Sequence, residues 1–257
     1  MGSSSLSGNL NTTQEGNLAV ITFGHPASNS LNQMLLDSLC AEFETIGKRH
    51  DIAVILLQSE GDRAFCAGAS FDELLQVSSH EESTRFFGGF ARLINTMRKC
   101  PKPIIGKVQG KAVGGGVGLI AACDYVLASA DASVRLSEIS IGIAPLVIEP
   151  VVSRKIGVAS LAALSLDPTA WKSAAWAYDR GLYTKVIQDP EALQTDALNY
   201  ANNLAGYPAE SLSALKNAIW EGTDHWDSLL LQRAAITGRL ALTDTTQEIL
   251  KQFKQKK

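Results

Sequence analysis

The chain alternates short apolar runs with longer stretches in which apolar residues recur every three or four positions. Residues 18–23 and 53–58 are compact runs rich in β-branched side chains, the pattern of buried strands. Between them, Leu31, Met34, Leu35, Leu39 and Phe43 share one side of a helix predicted over 31–49. Residues 104–108 predict a further strand, and 125–128 and 133–137 two more. A second long helix is predicted over 82–98, with Phe86, Phe87, Phe90 and Leu93 forming a stripe that reads as core. From about Pro190 onward the periodicity is almost wholly helical, interrupted once at Tyr207-Pro208. This β-β-α rhythm followed by helices predicts an α/β fold, a sheet flanked by helices.

Composition narrows the picture. With 257 residues, 46% of them hydrophobic, the chain is long enough for one large domain or a domain with a helical appendage. Its net charge of −3 comes with no basic stripe, so no nucleic-acid partner is expected. Every long apolar run is broken by Gly, Asp or Pro, so no membrane span is expected. Residues 1–13 are Ser/Gly/Asn-rich and lack the charged and apolar regions of a signal peptide. They are expected to be a flexible leader, ahead of a core over 14–195 and a helical region over 196–257. Cys40, Cys66, Cys100 and Cys123 form no CxxC pair, and no cluster has metal-ligand spacing. A reduced, cytoplasmic protein without a bound metal is expected.

The candidate chemistry lies in two small-residue runs, Ala67-Gly68-Ala69 and Gly114-Gly115-Gly116-Val117-Gly118-Leu119. Each follows a strand-like segment and precedes a helix-like one. Small residues there let a ligand approach the main chain closely, and a following helix leaves its first N–H groups unpaired. Two such turns facing each other would hold one oxygen between two backbone donors, an oxyanion hole. Acid/base work beside that hole needs a carboxylate. Glu138 follows a strand, twenty residues beyond Gly118. Glu149 stands in an apolar run before Pro150, so it is either a carboxylate at a helix start or a partly buried second acid. Asp72 opens the helix after the first turn and is a weaker candidate. Cys66 reads as small packing beside the hole rather than a nucleophile. His25, His50, His80 and His225 share no motif with a nucleophile, no GxSxG is present, and the glycine run is neither a Walker A loop nor a dinucleotide fingerprint.

The residues around these turns resemble the crotonase (enoyl-CoA hydratase/isomerase) superfamily. Arg63 to Glu73 is similar to its "AFCAGAD" segment, Lys102 to Gly116 to its "KPVIAAVNGxAxGGG", and Ala121 to Ala128 to its "ACDxxxA". The likeness runs well over 17–190 and more loosely beyond. It implies a spiral of ββα units with a C-terminal helical region that packs homotrimers, often paired into homohexamers. It implies a coenzyme A thioester as substrate and no bound cofactor. The oxyanion donors it implies are the N–H groups of Ala69 and Gly115, with Glu138 as acid/base. Ser30, Ala67, Gly68, Ala69, Gly114 and Leu146 would meet the substrate or its CoA, and Gly88-Gly89 suggests room for an acyl chain. Hydration of a 2-enoyl-CoA is the family's default. Two departures bring isomerisation or decarboxylation close behind. Hydratases carry a first glutamate where this chain has Gly118, and a "PGxGG" where it has Pro145-Leu146-Val147. The same missing glutamate motivates a rival of another class, an acyl-CoA-binding or interaction protein without turnover.

Overall fold

The computed structural model describes residues 8–255. In chain order, β1 (Asn9–Glu15), β2 (Leu18–Gly24), α1 (Gln33–Gly47) and β3 (Val54–Ser59) are followed by β4 (Ala64–Cys66), α2 (Phe71–Leu74) and α3 (His80–Lys99). Next come β5 (Ile104–Val108), β6 (Lys111–Val113), α4 (Gly115–Ala121), β7 (Tyr125–Ser129) and β8 (Ser133–Arg135). A 3-10 turn, Glu138–Ile141, leads to α5 (Glu149–Ser165), β9 (Lys172–Ser173), α6 (Ala174–Asp179) and β10 (Lys185–Ile187). Four helices follow: α7 (Leu193–Ala205), α8 (Ala209–Ile219), α9 (Trp226–Ala241) and α10 (Asp244–Gln255).

Two sheets organise these elements. The larger runs β1-β2-β3-β5-β7-β10, and only β1 is antiparallel to its neighbour. The smaller runs β4-β6-β8-β9, with β4, β6 and β8 parallel. Each passage along the large sheet therefore detours through the small one: β3 to β4, β5 to β6, β7 to β8, each pair followed by a helix. That is a spiral of ββα turns, as expected. Strands β2, β3 and β5 are almost wholly buried because helices cover one face and the core the other.

Local chemistry sets the element ends. Helix α1 begins two residues later than its periodicity predicts. Leu31 bridges to Ala69, and the Asn32 side chain accepts from the Leu35 N–H at 2.8 Å as N-cap. Helix α3 is capped by Ser79 and stops before Pro101. The interruption at Tyr207-Pro208 separates α7 from α8.

One boundary needs correction. The flexible leader expected over 1–13 contributes a strand from Asn9, and residues 1–7 lie outside the described residues. β1 reads as polar because it is an edge strand with most of its side chains in water. It is held by a full backbone ladder to β2 rather than by apolar burial. The boundary expected at 195/196 falls inside α7. Trp226, Leu230, Ala234 and Leu250 belong to the same buried cluster as β2, α1 and α3.

A buried ion pair ties α8 to this core. Lys216, 1% exposed in its side chain, lies 3.0 Å from Asp124 and donates to the carbonyls of Met97 and Lys102. Asp124 also accepts from the Ile104 N–H and the Trp220 indole, each at 2.7 Å. Removing one member of such a pair leaves the other buried and uncompensated. Lys216→Ala is expected to cost ~3–5 kcal/mol of stability, read from the shift of the urea unfolding midpoint.

Candidate functional site

The three parallel strands of the small sheet end side by side. β4 delivers Ala67-Gly68-Ala69, β6 delivers Gly114-Gly115-Gly116, and β8 delivers Ser137 and Glu138. Ligands collect at the carboxyl ends of parallel strands because the turns there present free main-chain groups. A cavity of ≈ 190 Å³ opens at this edge. The three turns form its polar side, and Phe86, Phe87, Phe90, Leu146 and Ile148 contribute to an apolar wall.

The two glycine turns face each other at contact distance. A Cβ on Gly68 would stand 3.4 Å from the Gly115 nitrogen and 2.8 Å from the Val113 carbonyl oxygen. Gly68 also has φ +86°, which only glycine adopts readily. A Cβ on Gly115 would stand 2.3 Å from the Phe90 ring, so close packing excludes a side chain there too. The N–H groups of Ala69 and Gly115 have no hydrogen-bond partner among the described residues, whereas the Gly114 N–H donates to the Arg135 carbonyl. Two backbone donors, one at the start of α4 and one in the turn across from it, are thus left without a partner.

Glu138 lies beside Gly114 in the same cavity. Its Oε1 lies 2.7 Å from where a Cβ on Gly114 would be, and its Oε2 is buried without a hydrogen-bond partner. Burial pushes its carboxyl up to about 7, against the backbone hydrogen bonds of Glu138 and Ser137 that pull it down. A carboxyl that titrates near neutrality can both take and return a proton.

The other candidates fall in different places. Ala67, Gly68, Gly114 and Leu146 line the cavity. Ser30 does not. It is buried beside the first turn with its N–H given to the Ala27 carbonyl and its Oγ 3.3 Å from His25 Nδ1. The Ala67 N–H is likewise given to Ser28, so both residues offer a ligand their carbonyls rather than their N–H groups. Glu149 is not brought to the cavity as a second acid. It opens α5 ahead of Pro150 and its carboxylate lies 3.7 Å from Arg233. Asp72 is exposed in the first turn of α2 and also stands off the cavity. Burial pushes the Cys66 thiol up to about 12, which leaves it inert. Gly89 serves helix packing rather than an acyl chain, for its Cβ would meet Leu36 at 2.7 Å. The phenylalanine stripe does both jobs, packing the core on one side and facing the cavity on the other.

Sequence reasoning missed Thr237. It reaches the cavity from α9, with its hydroxyl 3.4 Å from the Ala144 carbonyl, while Thr246 of α10 donates to Gly142 at 2.8 Å. Together these helices pin the 142–148 segment over the site. Nothing in the local sequence of α9 singles out one threonine. No cluster of potential metal ligands occurs among the described residues, and none of their helices is long and apolar enough to cross a membrane.

The enoyl-CoA hydratase/isomerase family profile matches residues 13–257. The short-chain-enoyl-CoA hydratase of Clostridium acetobutylicum is 27% identical over 97% of this chain and 95% of its own. The mitochondrial delta(3,5)-delta(2,4)-dienoyl-CoA isomerase of Mus musculus is 26% identical over 77% of this chain and 63% of its own. The crystal structure of an enoyl-CoA hydratase from Bacillus halodurans superposes with a TM-score of 0.87 at 21% identity, covering 95% of this chain and 99% of that one, and so shares the fold.

Proposed function

We propose that this chain, which belongs to the enoyl-CoA hydratase/isomerase family, takes the isomerase branch of that chemistry and shifts the double bond of a 3-enoyl-CoA to the 2-position. The observation that carries this reading is that Glu138 is the one titratable side chain among the described residues lining the cavity.

The thioester carbonyl oxygen would sit between the Ala69 and Gly115 N–H groups. Glu138 as carboxylate takes a proton from C2. The C2–H electron pair moves into the enolate, whose charge rests on the held oxygen. The protonated Glu138 then returns the proton to C4, and the double bond becomes C2=C3. One carboxylate suffices for both transfers, because it is regenerated at the end. Each backbone donor is worth ~3–4 kcal/mol to the enolate.

Water addition is far less efficient without a second group to orient the water, and Glu149 and Asp72 stand away from the cavity. Decarboxylation needs a place for the substrate carboxylate, and the lining offers no cation to receive it beside Glu138. The acyl group is therefore an uncharged hydrocarbon. A binding protein without turnover would have no use for a buried carboxyl poised near neutrality.

The same reading carries a CoA thioester as substrate, met by the Ala67 carbonyl beside the first turn, and no bound cofactor. It also carries a cytoplasmic setting and assembly as a homotrimer or homohexamer, which light scattering of the purified protein would distinguish. The chemistry is tested by mass spectrometry after incubation with 2-enoyl-, 3-enoyl- and carboxyacyl-CoA thioesters. Conversion of the 3-enoyl thioester at unchanged mass is expected. Gain of one water from the 2-enoyl thioester as the main reaction, loss of carbon dioxide, or binding without change would overturn it.

A further inference from the structure

We propose that Ile148 is a specificity-determining residue that keeps water away from Glu138, so that the proton taken from the acyl chain is the one returned to it. The inference rests on the proton-transfer reading above and adds what the apolar side of the site does for it.

Gly118 lies in α4, two residues beyond the glycine triplet, and the space beside it is already filled. A Cβ on Gly118 would stand 2.4 Å from Ile148 Cγ2 and 2.8 Å from Ile148 Cβ. Ile148 is 3% exposed and lines the same cavity as Glu138. Its position is well fixed. It precedes the first turn of α5, its carbonyl accepts from the Val152 N–H at 3.0 Å, and a β-branched side chain has little rotamer freedom. Ile143, Leu146 and Val147 continue the apolar wall on the same segment, which Thr237 and Thr246 tie down through Ala144 and Gly142.

This wall bears directly on proton bookkeeping. A bound water needs two to four polar partners. Besides Glu138, only Ser137 and Thr237 bring polar side chains to the cavity lining, and the Thr237 hydroxyl is turned to Ala144. Glu138 Oε2 has no protein partner, so its proton exchanges with solvent only if water reaches it. With Ile148 in place, the wall made by Ile143, Leu146, Val147 and Ile148 offers a water beside the acyl chain no polar side chain. Gly118 and Ile148 are thus one device. The glycine makes room, the isoleucine fills it, and a side chain at 118 and an isoleucine at 148 exclude each other.

The test is isomerisation of a 3-enoyl-CoA in D2O, with deuterium in the 2-enoyl product read by mass spectrometry at early conversion. The parent protein is expected to give product with little deuterium. Ile148→Ala is expected to raise the deuterium fraction several-fold and to release some water-addition product, while Ile148→Val, which keeps the branched Cβ and folds with least disturbance, stays near the parent. Adding Gly118→Ala to Ile148→Ala puts a methyl back into the vacated space and is expected to lower the deuterium fraction again. Loss of packing alone predicts no such recovery. Full deuteration by the parent, or an unchanged fraction in Ile148→Ala, would overturn the role of Ile148 while leaving the isomerase reading intact. Failure of the parent to convert any 3-enoyl thioester would instead overturn the reading on which this inference rests.

Discussion

Replacing Glu138 with glutamine is expected to lower kcat by ~10²–10⁴-fold, the usual share of a positioned general base, while CoA-thioester binding changes little. Glutamine has the same shape and leaves the cavity and both backbone donors in place, so the loss falls on the proton transfer rather than on KM. The pH profile identifies the cause. The carboxyl is raised from 4.5 to about 7, first by burial. Only its ionised form is a base, so kcat/KM of the parent rises with pH through about 7 and then levels. Glu138→Gln lacks this limb. The same shift also enters stability, with a definite sign. A carboxyl whose folded-state value lies above its unfolded value stabilises the fold in its protonated form, and that contribution is lost as pH rises through about 7. Glutamine carries no charge to bury. The melting temperature of the variant relative to the parent should therefore be higher above pH 7 than below pH 4.5, which shows that lost activity is not lost folding. An unchanged kcat in this variant would remove Glu138 from the mechanism.

What could be read from the sequence was what short segments specify on their own. The strands at 18–23, 53–58 and 104–108 are short, mostly apolar runs, and they fold as β2, β3 and β5 within one residue at each end. The glycine turns announce themselves because no side chain fits where two main chains approach, and Glu138 follows from its place after a strand. Tertiary partners decide the rest. β1 has no apolar signature, because an edge strand is held by its ladder to β2. Glu149 presents the same local sequence whether it is a helix-start carboxylate or a catalytic acid, and Arg233, eighty-four positions further along, decides it. Thr237 enters the cavity from a helix whose own pattern only says amphipathic. The departure at Gly118 was visible as a missing carboxylate. That Ile148 fills its place was not, since nothing along the chain relates a glycine in α4 to an isoleucine thirty residues later.

Gly114→Ala should have the second large effect, because the position is constrained twice over. Its backbone sits at φ +55° and ψ −121°, a conformation that costs an L side chain ~1–3 kcal/mol. The added methyl would also stand 2.7 Å from Glu138 Oε1 and 3.3 Å from its Cδ. Either the carboxylate moves off the substrate, or the turn rotates and the Gly115 N–H no longer points at the thioester oxygen. Losing one oxyanion donor alone corresponds to ~10²–10³ in kcat. Gly16→Ala separates strain from chemistry. Gly16 has nearly the same φ, +54°, but nothing lies within 4 Å of where its Cβ would be, and it sits in the β1–β2 turn away from the site. Both variants should lose stability in denaturant titrations. Only Gly114→Ala should lose turnover, and its pH limb should move away from about 7, because the carboxylate it displaces takes that value from its present burial. Equal activity in the two variants would mean that the turn tolerates a methyl and that Glu138 does not depend on the glycine beneath it.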